Sequence, residues 1–290
     1  MSQSSLVRAR ASDLPALCDF LLPREQLAVT LSARLFGEQH ATVKNRIDPS
    51  LEKVLVITHD GLITGIIATT ISGILLHALD ETGIGSTCRT AVHEEINGSN
   101  IRCIMGQAAG TRMLEECLGH SPSHSADYDL LIKPATPDTV NGDVQEPYRI
   151  FDIQVATESM HSQLMPLQEG YEREEVLPPG ALFDRTAAAR TLMINLKNQY
   201  ILTAMAGPLT AARAGTNARG RNWDQIGGVY TRPQFRRQGL ASELVLRVSR
   251  NSSAQNKHTV LFVKEHNTTA RNAYDRAGYL SHNRYRISYF

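Results

Sequence analysis

The chain predicts an α/β protein built in two parts, and three observations carry that expectation. Its 290 residues exceed one ordinary domain and leave room for two. Strand-length runs of β-branched and apolar residues alternate with helical stretches in both halves. Between the halves, Pro134, Pro137, Asn141 and Gly142 mark a linker over residues 134 to 147.

In order along the chain, Leu6 to Arg10 reads as a short strand, and Ser12-Asp13 starts an N-capped helix. Val54 to Ile57, the turn His59-Asp60-Gly61 and the β-branched run after it read as a hairpin. Residues 62 to 79 hold no Asp, Glu, Lys or Arg and approach membrane-spanning length. Thr64, Thr69, Thr70 and Ser72 interrupt that run, so two adjacent buried strands explain it better than a membrane helix. Ile101 to Met105 is the next strand, then Gly106 to Thr111 opens a helix through Leu118, and Asp127 to Ile132 comes after it. The second part begins at Tyr148 to Ile153 and continues with helical material at Tyr171 to Val176 and Thr186 to Lys197. A hairpin from Tyr200 to Gly215 turns at Gly207-Pro208, and a further strand ends at Thr231.

Composition narrows the function classes. With 30 basic and 29 acidic residues the net charge is +1, which argues against a nucleic-acid binder or a polybasic membrane protein. Cys18, Cys88, Cys103 and Cys117 are widely spaced, without Cys-x-x-Cys or a nearby His pair, so neither structural zinc nor a disulfide framework is expected. Free thiols in a reducing cytoplasm fit that spacing, and no apolar signal core occupies the N-terminus. The histidines, among them His40, His59, His77 and His258, lack metal-ligand spacing.

The most informative stretch is Gln225 to Ala241, followed by the periodic run to Arg250. It reads as a strand entering a short loop that opens a helix, where free backbone amides and the positive end of the helix dipole suit a pyrophosphate. Gly239 admits a close ligand, Arg236 and Arg237 add positive charge, and Leu244, Leu246 and Val248 anchor the helix behind the loop. Neither the Walker pattern nor the three-glycine dinucleotide fingerprint is present.

This loop resembles the [Arg/Gln]-x-x-Gly-x-[Gly/Ala] element of the GNAT family of acyl-CoA N-acyltransferases. A second block supports the resemblance: the strand Val260 to Val263, then Asn267, Ala270, Arg271, Tyr274 and Ala277-Gly278-Tyr279, similar to the family's Asn-x-x-Ala-x-x-x-Tyr-x-x-x-Gly-Tyr. The close resemblance covers residues 223 to 280, with a looser extension back to about 150. It implies a mixed, mostly antiparallel sheet flanked by helices and an acetyl-CoA site made of Gly228, Val229, Tyr230, Thr231, Arg236, Arg237, Gln238, Gly239, Leu240, Ala241, Asn267, Ala270, Arg271 and Tyr274. The order strand, helix, hairpin, strand, helix in the first half is that of the same module. The resemblance therefore implies two tandem GNAT-like domains: residues 1–140, a degenerate copy lacking basic residues before Gly106, and residues 148–290, the catalytic one.

The chemistry implied by the resemblance is amide formation from acetyl-CoA and an amine-bearing acceptor, without metal, nucleic acid or membrane; homodimerisation is left open. Resemblance places Tyr274 where family members keep the tyrosine that protonates the CoA sulfur, a packing tyrosine being the alternative. Backbone groups at Val229 and Tyr230 fall where the thioester carbonyl is polarised, and Gly227-Gly228 inside a strand suits a bulge or a close ligand. The family's strand glutamate is replaced by Gln225, which takes no proton, while Asp224 faces the other side of the strand. Glu172 and Glu175, with Glu174 between them, are candidate bases, and solvated helix charges or a water relay are the competing readings. Asn217, Arg219 and Arg221 either read an acidic acceptor or are simply exposed. The missing glutamate also keeps a catalytically inactive CoA-binding sensor or scaffold in view, and the first half is alternatively a module that delivers a protein lysine.

Overall fold

The protein is described by a computed structural model covering residues 4–37, 46–80, 86–136, 151–178 and 180–290. Residues 137–147 of the expected linker and residues 148–150 of the expected second domain start lie outside the described residues.

The first half runs β1 (Ser4–Arg8), α1 (Leu14–Leu21), α2 (Val29–Phe36), β2 (Leu51–His59), β3 (Leu62–Thr70), β4 (Ile74–Leu79), α3 (Ser86–Asn97), β5 (Cys103–Gln107), α4 (Ala108–Leu118) and β6 (His124–Lys133). The second runs β7 (Asp152–Val155), α5 (His161–Tyr171), α6 (Arg185–Asn198), β8 (Ile201–Ala206), β9 (Leu209–Arg219), β10 (Trp223–Thr231), α7 (Leu240–Ser253), β11 (His258–Lys264), α8 (Thr268–Arg276) and β12 (Leu280–Tyr289). The two halves repeat one order of strands and helices.

The compact units do not coincide with the halves. Unit 1 is Met1–Leu130 with Arg219–Trp223 and Ser281–Phe290; unit 2 is Leu131–Ala218 with Asp224–Leu280. In unit 1 the strand order is β1-β2-β3-β4-β5-β12-β6, and in unit 2 the last residues of β6 lead the order β6-β11-β10-β9-β8-β7. Most neighbours are antiparallel, with β4 and β5 parallel at Ile74↔Cys103 to Leu76↔Met105. β12 enters unit 1 antiparallel to β5, from Tyr285↔Gln107 to Tyr289↔Cys103. Arg286 fixes it there, donating to Glu115 Oε1 and Asp127 Oδ2, each at 2.8 Å.

Each unit has three layers. In unit 1, Val54 and Val56 of β2 face Leu14, Leu17, Leu31 and Leu35, whereas Leu55 and Ile57 face Val92, Ile96 and Leu114. Burial on both faces explains the uncharged run at residues 62 to 79, which forms β3 and β4. Asp60 (φ 49°) and Gly61 (φ 82°) make the tight hairpin turn before it. In unit 2, Ile201 and Tyr230 pack with Leu164, Leu167 and Leu192, while Leu202, Ala204 and Ala212 pack with Leu240, Leu244 and Val248. Asp184 caps α6, accepting from the Thr186 and Ala187 amides at 2.9 and 3.0 Å.

The glycine loop of the first half is not the copy of the second half's loop that the sequence suggests. By element order, Gly106 to Thr111 joins β5 to α4, the counterpart of the β11–α8 junction and not of the Arg232–Gly239 loop. The true counterpart joins β4 to α3 at residues 80–85, of which 81–85 lie outside the described residues. Both junctions are strand-to-helix turns with glycine, and sequence alone does not tell them apart.

Candidate functional site

All parts of the candidate site belong to unit 2. β10 ends at Thr231, a 3₁₀ turn spans Pro233–Phe235, and α7 starts at Leu240. Arg237 (φ 62°) and Gly239 (φ 80°) are both left-handed, which turns successive amides toward one side just before the helix N-terminus. The first-turn amides of α7 have no intrahelical acceptor. Leu240, Leu244, Val245 and Val248 are buried and hold the helix rigidly behind the loop. Arg237 and Gln238 are exposed, and Ala241 is half-buried. Arg236 turns back instead. Its Nε donates to the Thr231 carbonyl at 2.9 Å and its Nη2 to both Glu174 oxygens at 2.8 Å, and it lies 5.4 Å over the Tyr230 ring.

Inside β10 the expected irregularity is present: Gly228 has φ 60°, a left-handed residue within a strand. The amide of Gly228 bonds the Tyr171 hydroxyl. A Cβ built on Gly228 would lie 3.5 Å from Arg213 Nη2, so whatever rests on Gly228 touches that guanidinium. Val229 is half-buried and Tyr230 is buried, its hydroxyl donating to Glu174 Oε1 at 2.9 Å. Arg213, from β9, is 4% exposed and stands 5.7 Å from the Tyr171 ring. Burial pulls its pKa down to about 10, against the opposing pull of Tyr171 and Glu172.

The glutamates sit on a π turn, Glu172–Val176, that continues α5. Such turns re-aim consecutive side chains, and these diverge. Glu172 accepts from Gln168 Nε2 at 2.5 Å, and Glu174 holds Arg236 and Tyr230. Glu175 pairs with Lys264 at 3.4 Å and accepts from Asn267 Nδ2 at 3.1 Å. Asn267 is also the N-cap of α8, its Oδ1 accepting from the Ala270 amide at 3.0 Å, and Arg271 pairs with Asp275 at 3.3 Å on the same helix. Tyr274 is buried, and among the described residues nothing hydrogen-bonds its hydroxyl. Burial raises its pKa, with Tyr171 and Glu175 adding to the effect, so the phenol keeps its proton at neutral pH.

Asp224 is a structural residue: Lys257 Nζ lies 3.3 Å away and Ser252 donates to it at 2.8 Å, all three buried. Gln225 is buried, Asn217 is exposed, and Arg219 and Arg221 belong to unit 1. There the amides of Arg221 and Asn222 donate to the buried Glu25 carboxylate at 2.7 and 2.8 Å. Sequence reasoning missed Arg213, Tyr171 and Gln168. The available signal was one cation inside the otherwise small, uncharged run Ala211 to Gly215.

Unit 1 differs at the matching place. Beyond Leu76 and Met105, the buried His77 lays its ring against Gly106 and Gly110 and shares a 2.9 Å hydrogen bond with Thr111, so this ring occupies the space over both glycines.

A family model described as FR47-like protein matches residues 212–287. No curated protein matches the chain in sequence. Among solved structures, an acetyltransferase of the GNAT family from Colwellia psychrerythraea aligns over 99% of each chain at 12% identity with a TM-score of 0.54. A tandem GNAT protein from the clavulanic acid biosynthesis pathway aligns over 99% of this chain and 98% of its own, at 12% identity and TM-score 0.57. A Drosophila protein aligns over 99% of each chain, at 10% identity and TM-score 0.60. The chain thus has the fold of these GNAT structures, present twice in tandem, with the FR47-like segment beginning in β9 and ending in β12.

Proposed function

We propose that unit 2 is an N-acyltransferase that binds acetyl-CoA and acetylates an amine. The observation that carries this reading is the left-handed Gly228 in β10, followed within one loop by left-handed Arg237 and Gly239 at the N-terminus of α7. The residues fit the cosubstrate. The amides of Gln238 to Ala241 hold the pyrophosphate, with Arg237 as the exposed cation beside them. Val229 to Thr231 pair with the pantetheine arm, and the start of α8 at Asn267, Ala270 and Arg271 closes the other side. Acetyl-CoA supplies a thioester whose C–S bond breaks as the amine nitrogen forms the amide.

Glu172 is the better base of the two glutamates, because Lys264 and Asn267 occupy Glu175. It takes the proton the amine loses, and the Tyr274 hydroxyl holds the proton the departing sulfur needs. In unit 1 the His77 ring argues against a second CoA site, which supports a degenerate copy. The free cysteines and the availability of acetyl-CoA fit a cytoplasmic enzyme; among the described residues no helix is long and apolar enough to cross a membrane.

The test is thiol release from acetyl-CoA with an amine library, alongside calorimetric titration of acetyl-CoA. Saturable binding without release for any amine would replace the enzyme by a CoA-binding sensor. No binding at all would remove both readings.

A further inference from the structure

The Tyr171 ring 5.7 Å away and the pull of Glu172 leave the hydrogen-bonding capacity of Arg213 unused. Arg213 is 4% exposed, its Nε is buried without a hydrogen-bond partner, and among the described residues it forms no ion pair or hydrogen bond. Burying a guanidinium without hydrogen-bond acceptors is unfavourable. Its β9 neighbours Ala211, Ala212, Ala214 and Gly215 are small, so no second cation comes from the adjacent strand positions. Its Nη2 faces the surface of Gly228, where a missing Cβ leaves room for a ligand in van der Waals contact. A second orphan lies nearby in the same network: Gln168 is buried, its Nε2 is given to Glu172, and its Oε1 has no partner. The site therefore holds a donor fork in need of an acceptor and an acceptor in need of a donor.

We propose that Arg213 binds a carboxylate on the acceptor, so that the molecule acetylated is an amino acid or a closely similar amino-carboxylate. The carboxylate meets the guanidinium fork, which is built for two parallel N–H···O bonds. The amine turns to Gln168 Oε1 and Glu172, and from there faces Gly228, where the thioester carbonyl is placed. Arg213 and Glu172 carry one charge of each sign, which matches a zwitterionic amino-carboxylate and would leave a phosphate dianion with uncompensated negative charge. The inference rests on the acyltransferase reading of the same site and adds the substrate class to it.

Matched pairs test it on the intact chain: glycine with methylamine, L-alanine with ethylamine, and L-phenylalanine with phenethylamine, each with saturating acetyl-CoA. Removing the carboxylate is expected to lower kcat/KM on the order of 100-fold. A readout that needs no turnover is the affinity of N-acetyl-L-alanine against N-ethylacetamide in the presence of CoA, with the same preference expected. Arg213→Gln should abolish the preference and Arg213→Lys should restore part of it, both with acetyl-CoA affinity retained. If these variants do not fold, the paired comparison on the unaltered protein still decides. Equal turnover of amines and amino acids would remove the carboxylate anchor and keep the acyltransferase. No release with either set, with acetyl-CoA still bound, would remove the acyltransferase reading itself.

Discussion

Replacing Gly228 by alanine separates folding from function. At φ 60° an L-residue costs about 1 kcal/mol more than glycine. The added methyl meets Arg213 Nη2 at 3.5 Å and Asn217 Oδ1 at 4.0 Å, both ordinary contacts, so no clash adds to that strain. For a unit of this size the melting temperature should fall by about 3 °C. Turnover should fall far more, because the methyl stands on the surface proposed to carry the reacting carbonyl, and a displacement of about 1 Å there is worth on the order of 100-fold. Thermal melts and thiol release at saturating acetyl-CoA measure the two effects on one preparation. Gly227→Ala is the control: its methyl presses on the exposed carboxamide of Asn217, which can swing aside, so its turnover should stay much closer to the parent's. A Gly228→Ala protein that melts slightly early yet keeps the parent kcat would refute the placement of the reaction at this strand.

Single side chains carry the other expectations. Tyr274→Phe should lower kcat by roughly 10- to 100-fold with acetyl-CoA affinity nearly unchanged, since the ring still packs and only the donor is lost; unchanged kcat with chemistry rate-limiting would make Tyr274 a packing residue. Asp224→Ala should destabilise unit 2 by about 3–5 kcal/mol, read in denaturant melts, because Lys257 is left charged and buried. Burial lowers the pKa of His77 to about 4 from an ordinary 6.5, so the unfolded chain binds the extra proton between those values. The stability from the neutral, buried ring is therefore complete above about pH 6.5 and lost as pH falls through about 4, at most about 3 kcal/mol. His77→Gln should flatten the acid side of the melting-temperature profile, and a profile as steep as the parent's would place the titration elsewhere.

Local chemistry was legible where it is written in adjacent residues. The Arg237 to Leu240 turn, the β2–β3 hairpin and the doubled order of elements all arise from short-range pattern. Long-range pairing was not legible. Nothing around Arg236 signals that Glu174, far back in the chain, holds its guanidinium, and nothing around Arg213 signals that no carboxylate among the described residues hydrogen-bonds it. Gly106 misled because a glycine before a helix has one sequence signature at either of two junctions, and only the count of strands separates them. Residues 280 to 289 are unassigned from the sequence alone, and they form β12, whose partner β5 lies far back in the chain.

That last strand bears on how the protein is made. The sheet of unit 1 needs β12 beside β5, so a strand that ends at Gln107 waits for residues from 280 onward before its sheet is complete. At ribosomal speeds the delay is on the order of 10 s or more, during which β5 presents an open edge to other chains. The same wiring means that a cut in the 137–147 region does not liberate the first unit, because it deprives that unit of the strand held by Arg286. Two copies of the chain, each lending its β12 to the other's β5, would satisfy every pairing that one copy satisfies alone, which makes crowded expression or refolding at high concentration a route to interlocked dimers.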